Sequence, residues 1–462
     1  MNFKRAILRK GTGRLTFMSA AVVAAVVAVS GCSTYDATQA RRDHTESFTN
    51  DLARLSVELL ARPLSLDECI RIAMTNNYQV RQADLRTELN RIGKNVAFTA
   101  FLPNVAGTAG YTSYAKQPNV MTERRFNSAD LEIGMPIFMP STWFLYAAAR
   151  HGYATAATAA YYVRQGIVLQ TTMDYCETLV AQETVAALET QLKAALENAE
   201  RIEGLAGEGF FRPWEAEQAR LLAETRQAEL NHARRQLEVK RGELLVGLGL
   251  APGTAVELSG EMAAPVSFDK TTEELVLVAL QENPSLALSD RQVVIQEHRV
   301  REAFCAFLPT LSIFTSGTWT GNSLADHSAN WISGLKGAWT LFDGLANVAR
   351  YRAAKVEKKQ AVFEREAAFL NVMIQVIAAE AKLRDATETT LIRERSYDVL
   401  AAKYDDYDAR SREGLIPLSD ALDARAAMDE AQVELLRSKY LERLASASLE
   451  LAIGTTVVPG DK

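Results

Sequence analysis

Hydrophobic positions change their period several times along the chain. From Leu66 to Leu102 apolar residues recur at helical spacing and stop at Pro103, which predicts one continuous helix. The period then drops to two. Val105, Ala109 and Tyr111 alternate with Thr108 and Thr112, and Leu131, Ile133 and Met135 alternate with Asp130, Glu132 and Gly134. A polar loop containing Gln117-Pro118-Asn119 separates the two runs, so they read as a hairpin with one apolar and one polar face. Beyond Pro140 the helical period returns, and Val185, Leu188, Leu192, Ala195, Ala199, Ile202 and Ala206 step as a heptad seam. A helix from Trp143 to Gly209 rises ~1.5 Å per residue to roughly 100 Å. No compact core holds that length, so it belongs to a coiled-coil assembly or a stalk. Gly207-Glu208-Gly209 and Pro213 break it, and a shorter helix returns over 214–248.

The whole pattern then occurs again. Ala97, Phe98, Ala100, Phe101, Leu102 and Pro103 recur as Ala303, Phe304, Ala306, Phe307, Leu308 and Pro309. Asp67-Glu68 answers Glu273-Glu274, Asn77 answers Asn283, Glu208-Gly209 answers Glu413-Gly414, and Gly249 answers Gly454. Two copies of one unit make the chain. The second hairpin places Leu311, Ile313 and Trp319 on one face of the outgoing strand, and Trp331, Leu335, Trp339 and Leu341 on one face of the return. Ser312, Ser316, Thr318 and Thr320, then Lys336 and Thr340, lie opposite. Phe363, Ala367, Leu370, Ile374, Ile377 and Ala381 repeat the heptad seam, and Gly414 and Pro417 repeat the turn before a second returning helix, 418–453. Each opening helix (66–102 or 272–308) and each returning helix is roughly 50 Å long. Stacked end to end, the two match the long helix, with the non-periodic segment 249–271 at their meeting point. Strands of about 10 residues with one apolar face fit a membrane barrel; a soluble two-stranded flap is the alternative.

The N-terminus bears on the address. Lys4, Arg5, Arg9, Lys10 and Arg14 flank an apolar run from Leu15 to Val29. That run is short of the ~20 residues of a membrane span and has the form of a signal-peptide core. It ends in Val29-Ser30-Gly31-Cys32, which resembles the lipobox of bacterial lipoproteins. The resemblance implies cleavage before Cys32, diacylglycerol on its thiol and, with Ser33 following, the outer membrane; an ordinary signal peptide with a chance Cys is the other reading. Cys69, Cys176 and Cys305 sit in apolar helical patterns and read as buried thiols. A formal net charge of −6 offers no basic footprint, which argues against a nucleic-acid partner.

These features together resemble the outer membrane factor family of the TolC type, in its lipoprotein branch. The resemblance is carried by the duplicated unit, the Ala-x-x-Phe-Leu-Pro end before each hairpin, and Gly414 followed by Leu418-Ser419-Asp420-Ala421-Leu422-Asp423-Ala424. It implies a mainly α fold with membrane β: a periplasmic tube of long coiled-coil helices below a 12-stranded barrel to which each chain of a homotrimer gives four strands. Four strands alone cannot close, since known outer-membrane barrels start at about 8. Expected boundaries are a signal peptide over 1–31, an extended lipid-anchored arm over 32–64, a first repeat over 65–252, an equatorial linker over 253–270, a second repeat over 271–454 and a tail over 455–462. Hairpins are expected at about 103–138 and 309–342, and tip turns at about 207–213 and 412–417.

No catalytic constellation is present. The five histidines are scattered without zinc spacing, and Gly247-Leu-Gly249-Leu-Ala-Pro-Gly253 lacks the Lys-Ser/Thr of a phosphate loop. The chain reads as the outer-membrane channel of a tripartite efflux or type I secretion system, a passive exit duct gated at its periplasmic tip, and not an enzyme. It needs no cofactor beyond the lipid on Cys32, and it depends on a periplasmic adaptor and an inner-membrane pump for energy; a non-conducting coiled-coil tether is the rival. The tip turns are Gly209, Pro213, Gly414 and Pro417. Asp420 and Asp423, three residues apart on one helix face, would ring a periplasmic aperture close to a threefold axis; helix capping is their plainer role. The Tyr and Arg that lock the family's closed tip are replaced by Ser411 and Ile416, with Arg410 and Arg412 nearby as substitutes. The acidic run Asp405-Asp406-Tyr407-Asp408 reads as a solvated face or a partner contact.

Overall fold

The computed structural model describes residues 36–260 and 268–459. The chain divides into two units, Met1–Ala61 and Arg62–Lys462. In the first, helix α1 spans Ala37–Leu59, where an extended arm was expected. The physical reason is local. Asp36 Oδ1 accepts from Thr38 N (2.8 Å) and Gln39 N (3.2 Å), and neither glycine nor proline follows before Pro63, so a capped run without helix breakers stays helical. The signal peptide and Cys32 lie outside the described residues.

In the second unit the opening helix of each repeat is broken, against the expectation of one continuous element. The first repeat has α2 (Leu66–Asn76) and α3 (Tyr78–Thr99). They are followed by strands β1 (Asn104–Ser113) and β2 (Arg125–Phe138). The long helix α4 (Pro140–Gly207) and the returning α5 (Pro213–Gly247) complete it. The second repeat has α6 (Thr272–Glu282), α7 (Pro284–Cys305), β3 (Thr310–Thr320), β4 (Ala329–Ala338), α8 (Ala346–Arg412) and α9 (Leu418–Ile453). The break falls at Asn77 and Asn283, both in extended conformation (φ −60° and −66°). Each ends one helix and caps the next. Asn77 Oδ1 accepts from Gln79 N at 2.7 Å, and Asn283 Oδ1 accepts from Ser285 N at 2.8 Å.

The other end of each asparagine reaches the returning helix of its own repeat. Asn77 Nδ2 donates to Gly247 O and Asn283 Nδ2 to Ala452 O, both at 2.7 Å. Just beyond those carbonyls, Gly249 and Gly454 turn the chain at φ +71° and +91°. A Cβ on Gly249 would lie 2.5 Å from Asn76 O, and one on Gly454 would lie 2.8 Å from Glu282 O. Glycine is required there twice over, by the left-handed backbone and by the close approach. This joint is where the short helices stack, and the core gathers at it. Leu275, Leu286, Val376, Leu449 and Ile453 form one cluster; Tyr175, Leu244, Leu245 and Leu248 are buried in the first repeat. Each such side chain contributes about 1.5–3 kcal/mol of burial.

The repeated Phe-Leu-Pro stretch closes the opposite end. Phe98 and Phe101 pack on Tyr146 of α4, with Trp143 edge-on to Phe101 at 5.5 Å. Phe304 and Phe307 pack on Tyr351 of α8 in the same way. Each cluster ties the incoming and outgoing helices together directly beneath the strands. Cys69, Cys176 and Cys305 are buried free thiols, as their apolar settings predict. Burial pushes Cys69 up to about 12 and Cys176 to about 11, which leaves both unreactive. Among the described residues no helix is long and apolar enough to cross a membrane.

Candidate functional site

The four strands form one antiparallel sheet in the order β1-β2-β3-β4, so the hairpins of the two repeats pair through β2 and β3. The register aligns Leu131 with Gly317 and Gly317 with Trp331, then Met135 with Ile313 and Ile313 with Leu335. Side chains of one parity therefore share a face across all four strands. That face carries Val105, Tyr111, Leu131, Met135, Ile313, Trp319, Trp331 and Leu335, all exposed. Gly317 makes room on it: a Cβ there would lie 2.8 Å from the Trp331 indole. The opposite face carries Thr108, Asp130, Glu132, Ser312, Ser316, Thr318 and Lys336, with Phe126, Phe314 and Ile332 as its apolar exceptions. One correction applies. The return strand ends at Ala338, so Trp339, Thr340 and Leu341 lie outside the ladder. Trp339 Nε1 donates instead to Phe307 O at 3.1 Å, and the chain turns through Gly344 and Leu345, both at φ +71°, into α8.

The helices sit side by side in the same sequence as the strands. Nearest the sheet the packing order is α3, α4, α7, α8; at the far end it is α5, α4, α9, α8. The α4 seam is satisfied within the chain, since Leu192 and Ala199 are buried and Ala199 packs with Ala219 and Ala223 of α5. The α8 seam is not. Val356, Phe363, Leu370, Ile374 and Ile377 are exposed at heptad spacing, and Leu85, Leu89, Ile92 and Val96 form an exposed stripe on α3. Sheet and helices thus end on the same two sides: β1 with α3 on one, β4 with α8 on the other.

Both tip turns use a left-handed glycine. Gly209 (φ +88°) lets Phe210 N donate back to Leu205 O at 2.9 Å, and Gly414 (φ +73°) lets Leu415 N donate to Arg410 O at 2.9 Å. These six-to-one bonds close each long helix as a Schellman turn. Pro213 and Pro417 start the returning helices, Pro213 as first residue of α5 and Pro417 as N-cap of α9. Asp420 and Asp423 are exposed in the first turns of α9, while Ala421 and Ala424 between and beyond them are buried. Arg410 and Arg412 pair within their own helix, with Asp406 at 3.1 Å and Asp408 at 2.6 Å. Two of the three acidic residues of that run are therefore engaged by its own arginines.

Two charged clusters escaped sequence reasoning. Near the tip, Arg425 of α9 lies over the Tyr404 ring of α8 at 5.7 Å, with the buried Asp429 3.9 Å from its guanidinium. Burial raises the Asp429 carboxyl and Arg425 partly offsets it. Arg425 and Asp429 are four apart, a spacing too common to single them out. Further up, Lys240 of α5 bridges Glu177 of α4 and Glu243, both at 2.8 Å, and Tyr440 of α9 donates to Glu177 at 3.5 Å. Asp174 is buried beside them; burial raises its carboxyl against the hydrogen bond from Gln170. His151 and His298, remote in sequence, stack at 5.3 Å between α4 and α7. Two imidazoles do not complete a tetrahedral site, and among the described residues no group of three or more ligating side chains converges.

The outer membrane efflux protein family model matches residues 69–249 and 275–455, one match per repeat and most of the chain together. The chain belongs to the outer membrane efflux protein family. It is an outer-membrane efflux channel and not an enzyme. No curated protein sequence matches it. Among solved structures, the chain is similar to the CmeC outer membrane channel of Campylobacter jejuni, with a TM-score of 0.74 at 18% identity over 86% of this chain and 87% of that one. It is also similar to the MtrE outer membrane channel of Neisseria gonorrhoeae, in an open state (TM-score 0.69, 18% identity, 84% and 88% covered). A third is the outer membrane protein VceC of Vibrio cholerae (TM-score 0.68, 14% identity, 84% and 96% covered). At these identities the likeness concerns the fold.

Proposed function

We propose that three copies of this channel assemble into a closed duct, a 12-stranded barrel in the outer membrane continued by a periplasmic helical tube. The observation that carries this is the pair of open sides. A four-stranded sheet leaves β1 and β4 each with one row of unpaired backbone groups, and hydrocarbon does not tolerate an open edge. The same two sides expose the α3 and α8 apolar stripes. An interface joining two different surfaces builds a ring where its rotation closes, and a single rotation that pairs β4 with a neighbour's β1 also brings α8 to its α3. Twelve strands exceed the ~8 of the smallest known barrels, and the apolar face of each sheet then meets lipid while the polar face lines the pore.

In this reading the tip is the gate, with Asp420 and Asp423 as rings of carboxylates at its narrowest point. A periplasmic adaptor links the duct to an inner-membrane pump, which drives the tripartite system; the sequence carries no phosphate-loop motif of its own. Lipid on Cys32 adds an anchor to the barrel's own apolar belt; palmitate labelling that persists in Cys32→Ala overturns that anchor. The decisive test of the duct is a cysteine pair placed on β1 and β4. Oxidation is expected to yield a covalent trimer that conducts ions in a planar bilayer. Disulfide-linked species no larger than a dimer, or a trimer without conductance, refute the duct and leave a structural tether.

A further inference from the structure

We infer that the polar face of the sheet carries a shallow subsite for planar aromatic cations, floored by Gly134, walled by Phe314 and rimmed by Glu132. It rests on the proposed duct, in which this face lines the pore. The starting point is one of the residues that break the pattern, and the one that stands between two glycines. Phe314 has the parity of Ser312, Ser316 and Thr318, so an aromatic ring stands on the hydrophilic side of β3. Its row across the sheet reads Asn104, Gly134, Phe314, Gly334. A bulky side chain flanked by two residues without any leaves space on both sides, and the two sides differ.

The ring leans over Gly334: a Cβ there would lie 3.2 Å from Phe314 Cε1 and 3.4 Å from Cζ. That glycine is covered, as cross-strand aromatic partners commonly cover glycine. A Cβ on Gly134 would meet nothing within 4 Å. The flank of the ring toward β2 therefore opens onto bare backbone, one strand spacing or ~4.8 Å away. Glu132 stands two residues along β2, one row from the ring, and is exposed. Pro136 bounds the other end of the notch on the same strand. These residues form part of the lining of a larger open concavity of about 1140 Å³, which extends to Asn104 on β1 and to Ile332 and Lys336 on β4. Lys336 lines the far side of the same concavity, on β4 across β3, whereas Glu132 stands on β2, the strand that carries the bare floor.

A flat floor, an aromatic wall and one carboxylate suit one kind of molecule. A planar ring stacks against Phe314 without meeting a side chain beneath it, and its positive charge is attracted both by the ring's π-face and by Glu132. An aliphatic cation lacks the stacking, and an aromatic anion is repelled by Glu132. Exposure to water keeps the attraction weak, which transit demands: a pore site that binds tightly does not release.

Single-channel recording of the reconstituted protein tests this with three probes. Proflavine is the planar aromatic cation, tetraethylammonium the aliphatic cation and 2-naphthalenesulfonate the aromatic anion. Proflavine is expected to block the wild type at the lowest concentration of the three. Phe314→Ala should weaken that block about tenfold and Glu132→Gln about threefold, while Gly134→Val, which fills the floor, should match Phe314→Ala. Conductance in potassium chloride should stay near wild type throughout. Should Phe314→Ala fail to assemble because Gly334 is uncovered, Phe314→Leu keeps an apolar cover without a π-face and is expected to show the same loss. Proflavine block equal in the wild type and the Phe314 variants, or equal block by the naphthalenesulfonate, overturns the subsite alone. A wild-type protein that conducts no ions overturns the duct and the subsite with it.

Discussion

Replacing Asn283 tests whether the half-height joint holds the stacked helices together. The residue is 4% exposed, and its side chain makes three hydrogen bonds of two kinds. Oδ1 caps α7, accepting from Ser285 N (2.8 Å) and Ser285 Oγ (2.6 Å), and Nδ2 donates to the last turn of α9 at Ala452 O (2.7 Å). In Asn283→Ala the lost cap costs ~0.5–2 kcal/mol, and a part-buried carbonyl left without its donor adds ~1–3 kcal/mol. Together that is about 1.5–5 kcal/mol per chain, beyond a surface substitution. Asn283→Asp separates the two parts, because a carboxylate still caps the helix but points an acceptor at the Ala452 carbonyl. Helical circular dichroism against temperature, in detergent at pH 7, is the assay. Asn283→Ala should melt roughly 2–5 °C below the wild type, Asn77→Ala should fall by a similar amount, and Asn283→Asp should be no better than the alanine variant. An aspartate variant as stable as the wild type would refute the reasoning, since the bond across to α9 would then carry no weight. Both alanine variants within a degree of wild type would mean that the apolar cluster alone holds the joint.

Three further outcomes follow from the same geometry. Leu335→Arg puts a charge on the apolar face at a cost of about 2–4 kcal/mol near the bilayer midplane and should cut the yield of assembled protein, whereas Ser316→Arg on the polar face should assemble and change conductance; equal damage at both would mean that the faces are misassigned. Asp420→Ala with Asp423→Ala should lower cation preference and weaken block by trivalent cations while costing only the ~0.5–2 kcal/mol of a helix cap, and unchanged selectivity in single channels would reduce both residues to caps. Asp174 is held above the usual carboxylate range by burial, so the folded state keeps its proton to higher pH than the unfolded chain, and stability falls as pH rises from about 4. Asp174→Asn should therefore melt higher than wild type at pH 7.5, with the gain shrinking toward pH 4; a gain independent of pH would show that the carboxylate's charge is not its cause.

Much of the channel is written in short-range pattern. Period two in Leu131–Met135 and Leu311–Ile313, period three-four in Val185–Ala206, and the recurrence of one unit determined the element types, the duplication and the two faces of the sheet, because each depends only on which residues are neighbours along one strand or helix. The same holds for the tip turns, where Gly209 and Gly414 need a left-handed backbone whatever surrounds them. The break at Asn283 was legible in principle, since Asn-Pro is a boundary signal, but helical apolar spacing continues across it and conceals the cap. Tertiary structure alone decided the rest. Pairing of β2 with β3 joins segments from different repeats, and no local signal chooses a partner strand so distant in sequence. Arg425 reaches Tyr404, Tyr440 reaches Glu177, and Asn77 reaches Gly247 only because separate helices come to lie side by side. The same holds for the notch beside Phe314. Its floor is a glycine on another strand, so a register set by the whole sheet decides whether the ring stands beside open space or beside another side chain.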